Sequence, residues 1–310
     1  MIVIPDDAPP VMASSAAYKS FQAKHSIVYY NDLPGSEDRL IDRIREAEVV
    51  VNIRSSVRFT ETVFAACPKL KMLSIWGTGT DNVDLAAAKA RGIVVTNTPG
   101  VAAPSIAEHS LALLFAVARK IPKLDAAVRQ GQWPRGAMTQ LSGKTLGIIG
   151  LGAIGRRFAQ LGQGIGMKVI AWTMHPRDLG IPLVELDSLL RESDVVSLHL
   201  RLSGETKGFL GKPQFELMKS TAILINTARG PIVDEQSLLE ALRANRIAGA
   251  GLDVFDNEPL PQGHPLTQLE NVVLSPHCAG ITPEVLEAGL ALSLSNVEAY
   301  LAGTPRNVVG

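Results

Sequence analysis

Along the first hundred residues, apolar positions come in short runs separated by amphipathic stretches. The runs at 2–4 (IVI), 26–30 (SIVYY), 49–53 (VVVNI), 71–75 (KMLSI) and 92–95 (GIVV) have the length and β-branched content of buried strands. Stretches at 38–47 and 84–91 fit helices between them. Strands alternating with helices predict a parallel sheet covered on both faces. Residues 105–119 then form a helical run apolar almost all round, with Ile106, Leu111, Leu113, Leu114 and Val117, which predicts a buried helix. Beyond it, strands are expected at 146–149, 167–172, 195–200, 222–226, 248–254 and 272–274, with helices at 213–219 and 235–245. Asp234 stands where it can cap the second of these helices. A last helix over 283–301, by its apolar period, is placed to return to the first part of the chain. The pattern breaks at 96–100 (TNTPG), a candidate domain crossing.

Around residues 145–156 (TLGIIGLGAIGR) an apolar strand stops at Gly150, Gly152 and Gly155 follow, and a helical pattern begins. In such a turn the first glycine permits the tight reversal. The second lets a pyrophosphate approach the backbone, and the third lets helix and strand pack closely. Free N–H groups at the helix start face the phosphates. Strand, glycines and helix in this order predict dinucleotide binding, and six strands suit a full dinucleotide-binding domain.

The 310 residues are 46% hydrophobic and 19% charged, enough for two domains with packed cores. Thirty basic and thirty acidic side chains balance. With no basic run, no nucleic-acid partner is expected. The amino terminus lacks the pattern of a signal peptide and no apolar stretch spans a bilayer, so a cytoplasmic protein without a membrane partner is expected. Cys67 and Cys278 suggest neither a disulfide framework nor a metal site, and no metal is expected.

Ligands of parallel sheets bind beyond the carboxyl ends of the strands, and several strand ends here carry polar groups. One is 52–56, with Arg54, a candidate substrate contact; another is 76–82 (WGTGTDN). The glycines flanking Thr78 suit either an anion nest or an ordinary turn. Arg229 follows an apolar strand, where a guanidinium can hold a carboxylate or form a structural ion pair. Asp253 and Glu258 follow the next strand, and His277 the last. Together Arg229, Glu258 and His277 form a candidate acid/base constellation.

These motifs resemble the D-isomer-specific 2-hydroxyacid dehydrogenases over nearly the whole chain. The match includes WGTGTDNVD at 76–84, NTPGV at 97–101, AEH at 107–109, residues 141–156 and 197–202, NTARGPIVDE at 226–235, GLDVFDNEP at 251–259 and PHCAG at 276–280. The resemblance implies an α/β protein of two Rossmann-like domains with the active site in the cleft. A flavodoxin-like substrate domain would comprise 1–98 with 285–310, and an NAD(P)-binding Rossmann domain 99–284. It also implies a homodimer formed through about 101–119 and the following loop.

By the same resemblance His277 is the acid/base toward the C2 oxygen and Glu258 the carboxylate that orients it. Arg229 holds the substrate's carboxylate and carbonyl. The amides of Thr78 and Gly79 grip that carboxylate too, with Thr78 near the nicotinamide. Gly150, Gly152, Ala153, Ile154 and Gly155 form the pyrophosphate turn, and Asp253 bonds the nicotinamide carboxamide. Leu200, Thr227, Ala228 and Gly280 line the cofactor, which Arg229 and His277 also meet. The implied partner is a small 2-oxo or 2-hydroxy acid.

Where NAD-preferring members carry Asp after the second strand of this domain, the chain has Thr173, with His175 and Arg177 close by. Arg201 stands where the family usually has Pro. Without a carboxylate to repel a 2′-phosphate, and with these cations near, NADP is slightly favoured over NAD. Cys278 is assigned to packing. Glu258 argues against formate dehydrogenases, which have Gln there. The chain's end at Gly310 leaves no room for the regulatory domain of longer phosphoglycerate dehydrogenases, but the short form of that enzyme remains an alternative. So does a nicotinamide-sensing co-repressor-like binding module. Glyoxylate or hydroxypyruvate reduction leads. Trp76 is a candidate for limiting the substrate pocket.

Overall fold

In the computed structural model, which describes residues 1–8, 10–53, 57–177 and 179–310, strand and helix alternate almost throughout. The first part runs β1 (Ile2–Ile4), α1 (Ala16–Gln22), β2 (Ile27–Tyr29), α2 (Glu37–Ile44), β3 (Val49–Ile53), α3 (Glu61–Ala66), β4 (Met72–Trp76), α4 (Leu85–Ala90) and β5 (Val94–Thr96). Helices α5 (Ala103–Ala118) and α6 (Ile121–Arg129) follow. Next come β6 (Thr145–Ile149), α7 (Ala153–Gly164), β7 (Lys168–Trp172), α8 (Leu186–Glu192), β8 (Val195–Leu198) and α9 (Lys212–Leu217). The chain then forms β9 (Ile223–Asn226), α10 (Glu235–Arg243), β10 (Gly249–Leu252), β11 (Val272–Leu274) and α11 (Pro283–Leu301). Many helices start on a side chain that accepts an N–H of the first turn: Ser15, Ser36, Thr60, Asp84, Asp234 and Thr282.

The chain divides into two units, Met1–Ala102 with Ile281–Gly310, and Ala103–Gly280. In the first, five parallel strands are ordered β2-β1-β3-β4-β5, the flavodoxin-like order. Every residue of β3 and β4 is buried, as expected of strands covered on both faces. Helix α11 returns to this sheet, where Ser74 Oγ donates to the Ser293 carbonyl at 2.9 Å and Asn296 Nδ2 to that of Asn97 at 2.9 Å. Trp76 belongs to the same core: its buried indole lies against Gly289 of α11, so it serves packing between strand and helix.

The second unit holds six parallel strands in the order β11-β10-β9-β8-β6-β7. A single parallel bridge, Ala171 to Leu183, lies alongside β7. Counting that bridge as a reduced strand, the sequence of strands is that of a dinucleotide-binding sheet. Register aligns the last strand residues in one transverse row: Trp172, Ile149, Leu198, Asn226, Leu252 and Leu274 are successive partners. The run at 105–119, apolar almost all round and expected to be buried, is buried in part. Helix α5 buries Ser105, Ala107, Ser110, Leu113 and Leu114, but Glu108 and Ala112 are exposed. Helix α6 buries none of its residues. No helix among the described residues is long and apolar enough to cross a membrane.

Candidate active site

The row of strand ends explains why residues far apart in sequence meet. The residues after Trp172, Ile149, Leu198, Asn226, Leu252 and Leu274 are Thr173, Gly150, His199, Thr227, Asp253 and Ser275. In a parallel sheet all of them emerge at one edge, the edge where such sheets bind ligands.

Gly150 has φ +102, a region L side chains rarely adopt, and a Cβ there would fall 2.7 Å from the His199 carbonyl oxygen. A Cβ on Gly155 would fall 2.0 Å from the Gly150 carbonyl oxygen, so the close seating of α7 requires glycine. Around Gly152 a Cβ would meet nothing within 4 Å, which leaves open space in front of α7. Gly152 is also the N-cap and offers no side chain to the first-turn amides of Ala153 and Ile154. This turn therefore fits a dinucleotide pyrophosphate. Beside it, desolvation pushes the His199 pKa down to about 3, so this ring is neutral near pH 7. Thr173 and Leu200 are half-buried, and His175, Arg177 and Arg201 are exposed.

After β9, buried Asn226 shapes the turn. Its Nδ2 donates to the Arg229 carbonyl at 3.0 Å and its Oδ1 accepts from the Ala228 amide at 3.0 Å. Thr227 Oγ1 lies 2.9 Å from Ser110 Oγ of α5. A Cβ on Gly230 would lie 2.0 Å from the Phe255 carbonyl carbon, so this glycine lets the Arg229 turn touch the loop after β10. Arg229 Nη1 donates to the Ala228 carbonyl at 2.7 Å.

Glu258 and His277 form a pair, with His277 Nδ1 2.6 Å from Glu258 Oε2. The other carboxylate oxygen, Oε1, accepts from the Phe255 amide at 3.0 Å. Burial pushes the Glu258 pKa up. The His277 and Phe255 hydrogen bonds and the charge of Arg229 outweigh that and leave it lowered overall. An ionised carboxylate only accepts, so Nδ1 carries the proton and Nε2 is left for a ligand. The His277 side chain is 47% exposed. A pocket of about 640 Å³ adjoins the pair, walled by Phe255, Pro259, Leu260, Leu274 and Pro276.

Asp253 is 1% exposed and anchors the loop that carries His277. Its Oδ1 accepts from Ser275 Oγ at 2.6 Å and the Cys278 amide at 3.0 Å, and its Oδ2 from the Ala279 amide at 2.9 Å. The His277 amide donates to its carbonyl at 2.8 Å. Burial would raise the Asp253 pKa; donors from His109, Ser275, Ala279 and Cys278 prevail and hold it at about 2. His109, Asp253 and Cys278 bring three potential metal ligands within 4.8 Å of one another. The carboxylate is already engaged by N–H and O–H donors, which makes the group a hydrogen-bonded anchor. Burial and Asp253 push the Cys278 thiol pKa up, in keeping with packing. His109 and Asn226 had no assigned part in the site from sequence. Gly280 closes this unit.

In the first unit, Thr78 and Gly79 follow β4. Of the flanking glycines, Gly77 gives its amide to Thr98 Oγ1 at 2.9 Å, so it is not an anion donor. The Thr78 carbonyl accepts from Asn97 Nδ2 at 2.8 Å, fixing the turn. Among the described residues, the amides of Thr78 and Gly79 meet no acceptor. Arg54 lies outside the described residues.

A glycine turn that fits a dinucleotide and a His–Glu pair beside an Arg thus lie on one sheet edge. Residues 111–279 match the family described as D-isomer specific 2-hydroxyacid dehydrogenase, NAD binding domain. The chain is 40% identical to a glyoxylate reductase of Korarchaeum cryptofilum over 91% of this chain and 88% of that one. Its structure is similar to that of an acyclic imino acid reductase in complex with NADPH and D-Arg, with TM-score 0.93, 32% identity and full coverage of both chains. It is also similar to D-lactate dehydrogenase of Aquifex aeolicus complexed with NAD and lactic acid, with TM-score 0.86, 28% identity, and 98% and 96% coverage of the two chains. The chain belongs to the D-isomer-specific 2-hydroxyacid dehydrogenases, oxidoreductases that use NAD or NADP to interconvert 2-hydroxy and 2-oxo acids.

Proposed function

We propose that this enzyme reduces a small 2-oxo acid, glyoxylate or hydroxypyruvate foremost, with Arg229, Glu258 and His277 as its working groups. The observation that carries the reading is the 2.6 Å His277–Glu258 pair on the same sheet edge as Arg229. Reduced nicotinamide, when bound, supplies a hydride to C2. His277 hands its Nε2 proton to the C2 oxygen, so C=O becomes CH–OH, and it regains a proton from solvent. Glu258 holds the ring through Nδ1 and stabilises its charged form before transfer. Arg229 binds the carboxylate and the carbonyl oxygen and stabilises the charge that develops on that oxygen. Ala153 and Ile154 present amides to the pyrophosphate, while Thr227, Ala228, Leu200, Asp253 and Gly280 take the cofactor-lining parts. Thr78 and Gly79 supply amides to the carboxylate. The test is loss of reduced-nicotinamide absorbance with glyoxylate, hydroxypyruvate, pyruvate and phenylpyruvate. Turnover greatest with the first two is expected, and turnover confined to phenylpyruvate overturns the choice of substrate.

NADP is proposed as the preferred cofactor. Thr173, the residue after β7, has no charge to repel a 2′-phosphate, and the exposed Arg177, Arg201 and His175 are available to attract it. The relative solved with NADPH supports this, whereas the one solved with NAD favours the alternative. Thr173→Asp is expected to weaken NADPH binding by roughly tenfold or more through like-charge repulsion, with NADH much less affected. Fluorescence titration of both cofactors checks this, and equal losses overturn it.

A homodimer is the proposed assembly. Helix α6 and the following loop carry Ile121, Val128, Trp133 and Met138 at 54, 49, 72 and 42% exposure, a run of apolar side chains that a second copy would cover. Sedimentation should give twice the 33.1 kDa chain mass, and Trp133→Glu with Val128→Glu should yield monomers. A wild-type monomer overturns this assembly.

A further inference from the structure

We propose that His109, on α5, is a positioning residue for the acid/base His277. This inference rests on the reading of His277 given above. His277 sits at φ +50, a conformation that non-glycine residues rarely adopt and that its surroundings must impose. The imposing group is the Asp253 carboxylate, which gathers Ser275, Cys278 and Ala279 around itself while its carbonyl takes the His277 amide. What fixes that carboxylate in turn comes from α5. His109 Nε2 lies 2.9 Å from Ser275 Oγ and 3.5 Å from Asp253 Oδ1. One turn earlier on the same helix, Ser105 Oγ donates to the Ala279 carbonyl at 2.7 Å. Residues four apart share a helix face, so α5 holds the loop at both ends.

The direction of the chain follows from proton counting. Asp253 can only accept, so Ser275 gives its one hydroxyl proton to Oδ1. Ser275 Oγ must then accept from His109, which makes Nε2 of His109 a donor. The order is His109 to Ser275 to Asp253, and from Asp253 to the backbone on either side of the His277 ring. The polar partners of His109 are Ser275 and Asp253, whereas His277 pairs with Glu258, so His109 acts on the ring through the loop.

A donor is what this position requires, and that separates positioning from packing. His109→Leu keeps the volume and removes the donor. It is expected to lower kcat by roughly 10- to 100-fold, the cost of a small misplacement of a reacting group, and to shift the pH profile of kcat. KM for the 2-oxo acid should stay within about twofold, because Arg229 is untouched. His109→Gln restores an N–H donor and should recover most of the loss. Ser275→Ala breaks the same chain at its middle, so its effect and that of His109→Leu should fail to add in the double variant. Wild-type activity in His109→Leu, a loss in His109→Gln as large as in His109→Leu, or additive losses would each overturn the proposal. The ¹⁵N NMR titration of the His277 ring, assigned by its loss in His277→Gln, provides a readout independent of turnover. A shifted ring titration in His109→Leu supports the coupling, and an unmoved one overturns it. Absence of turnover by wild type with every 2-oxo acid would instead overturn the substrate reading and leave this measurement valid.

Discussion

His277→Gln is expected to lower kcat by roughly a thousandfold, within the span a positioned general acid contributes, while cofactor affinity stays near wild type. Glutamine keeps the bulk and can still donate toward Glu258, but it has no proton to give at the C2 oxygen. Glu258→Gln tests the second half of the pair. It preserves an acceptor for Nδ1 and removes the charge, so its loss should be smaller than that of His277→Gln. Because the Glu258 pKa is lowered, its carboxylate is ionised at neutral pH and well into the acid range. Protonation of Glu258 is therefore expected to reduce activity only below the ordinary carboxylate range, since Glu258 begins from an ordinary carboxylate value and is shifted further down. Stopped-flow measurement of hydride transfer across pH checks both. Near-normal turnover in His277→Gln would remove it from the chemistry.

Arg229→Gln is the other large effect. Its guanidinium is assigned two tasks, holding the carboxylate in the ground state and stabilising the oxygen as charge develops. Loss should therefore appear in both KM and kcat, with kcat/KM down by roughly 10³-fold or more. Arg229→Lys should recover little, because a single ammonium cannot reproduce a planar pair of donors. Steady-state kinetics on the leading 2-oxo acid decides this. Full rescue by Lys would reduce Arg229 to a point charge. Gly230 gives the geometric reason for such sensitivity: the arginine turn approaches the Phe255 loop too closely to admit even one methyl group.

Much of this architecture was legible in the pattern of apolar residues. The bounds of β1, β3, β11 and α11 coincide with runs read from sequence, and Asp234 caps α10 as expected. Short, β-branched strands covered on both faces leave few alternatives. The helices α1, α3 and α8, of six or seven residues, escaped, whereas the equally short α4 and α9 fell on stretches read as helical. Helix α6 escaped because its apolar residues face outward, so they mark no core. The reduced strand at Leu183 makes one bridge, less than any pattern can signal. In the site, groups that follow strands were readable because the sheet edge collects them. His109 was not, since its partner Ser275 lies 166 residues away and a lone histidine on a helix announces nothing. The direction of Trp76 was equally hidden, because the glycine that receives its indole lies on the returning helix α11.

The transverse row of strand ends limits how such an enzyme can diversify. Each proposed working group is set by counting a few residues beyond a fixed register, and strand side chains alternate faces with every step. A one-residue insertion within β9, β10 or β11 would displace Arg229, Asp253 or His277 and turn the strand's core face outward at once. A substitution just past the row, as at Thr173, changes the neighbour of a ligand and leaves the sheet intact. Change in this scaffold is thus channelled into point replacements at the rim, with length variation confined to the connections that return to the opposite edge.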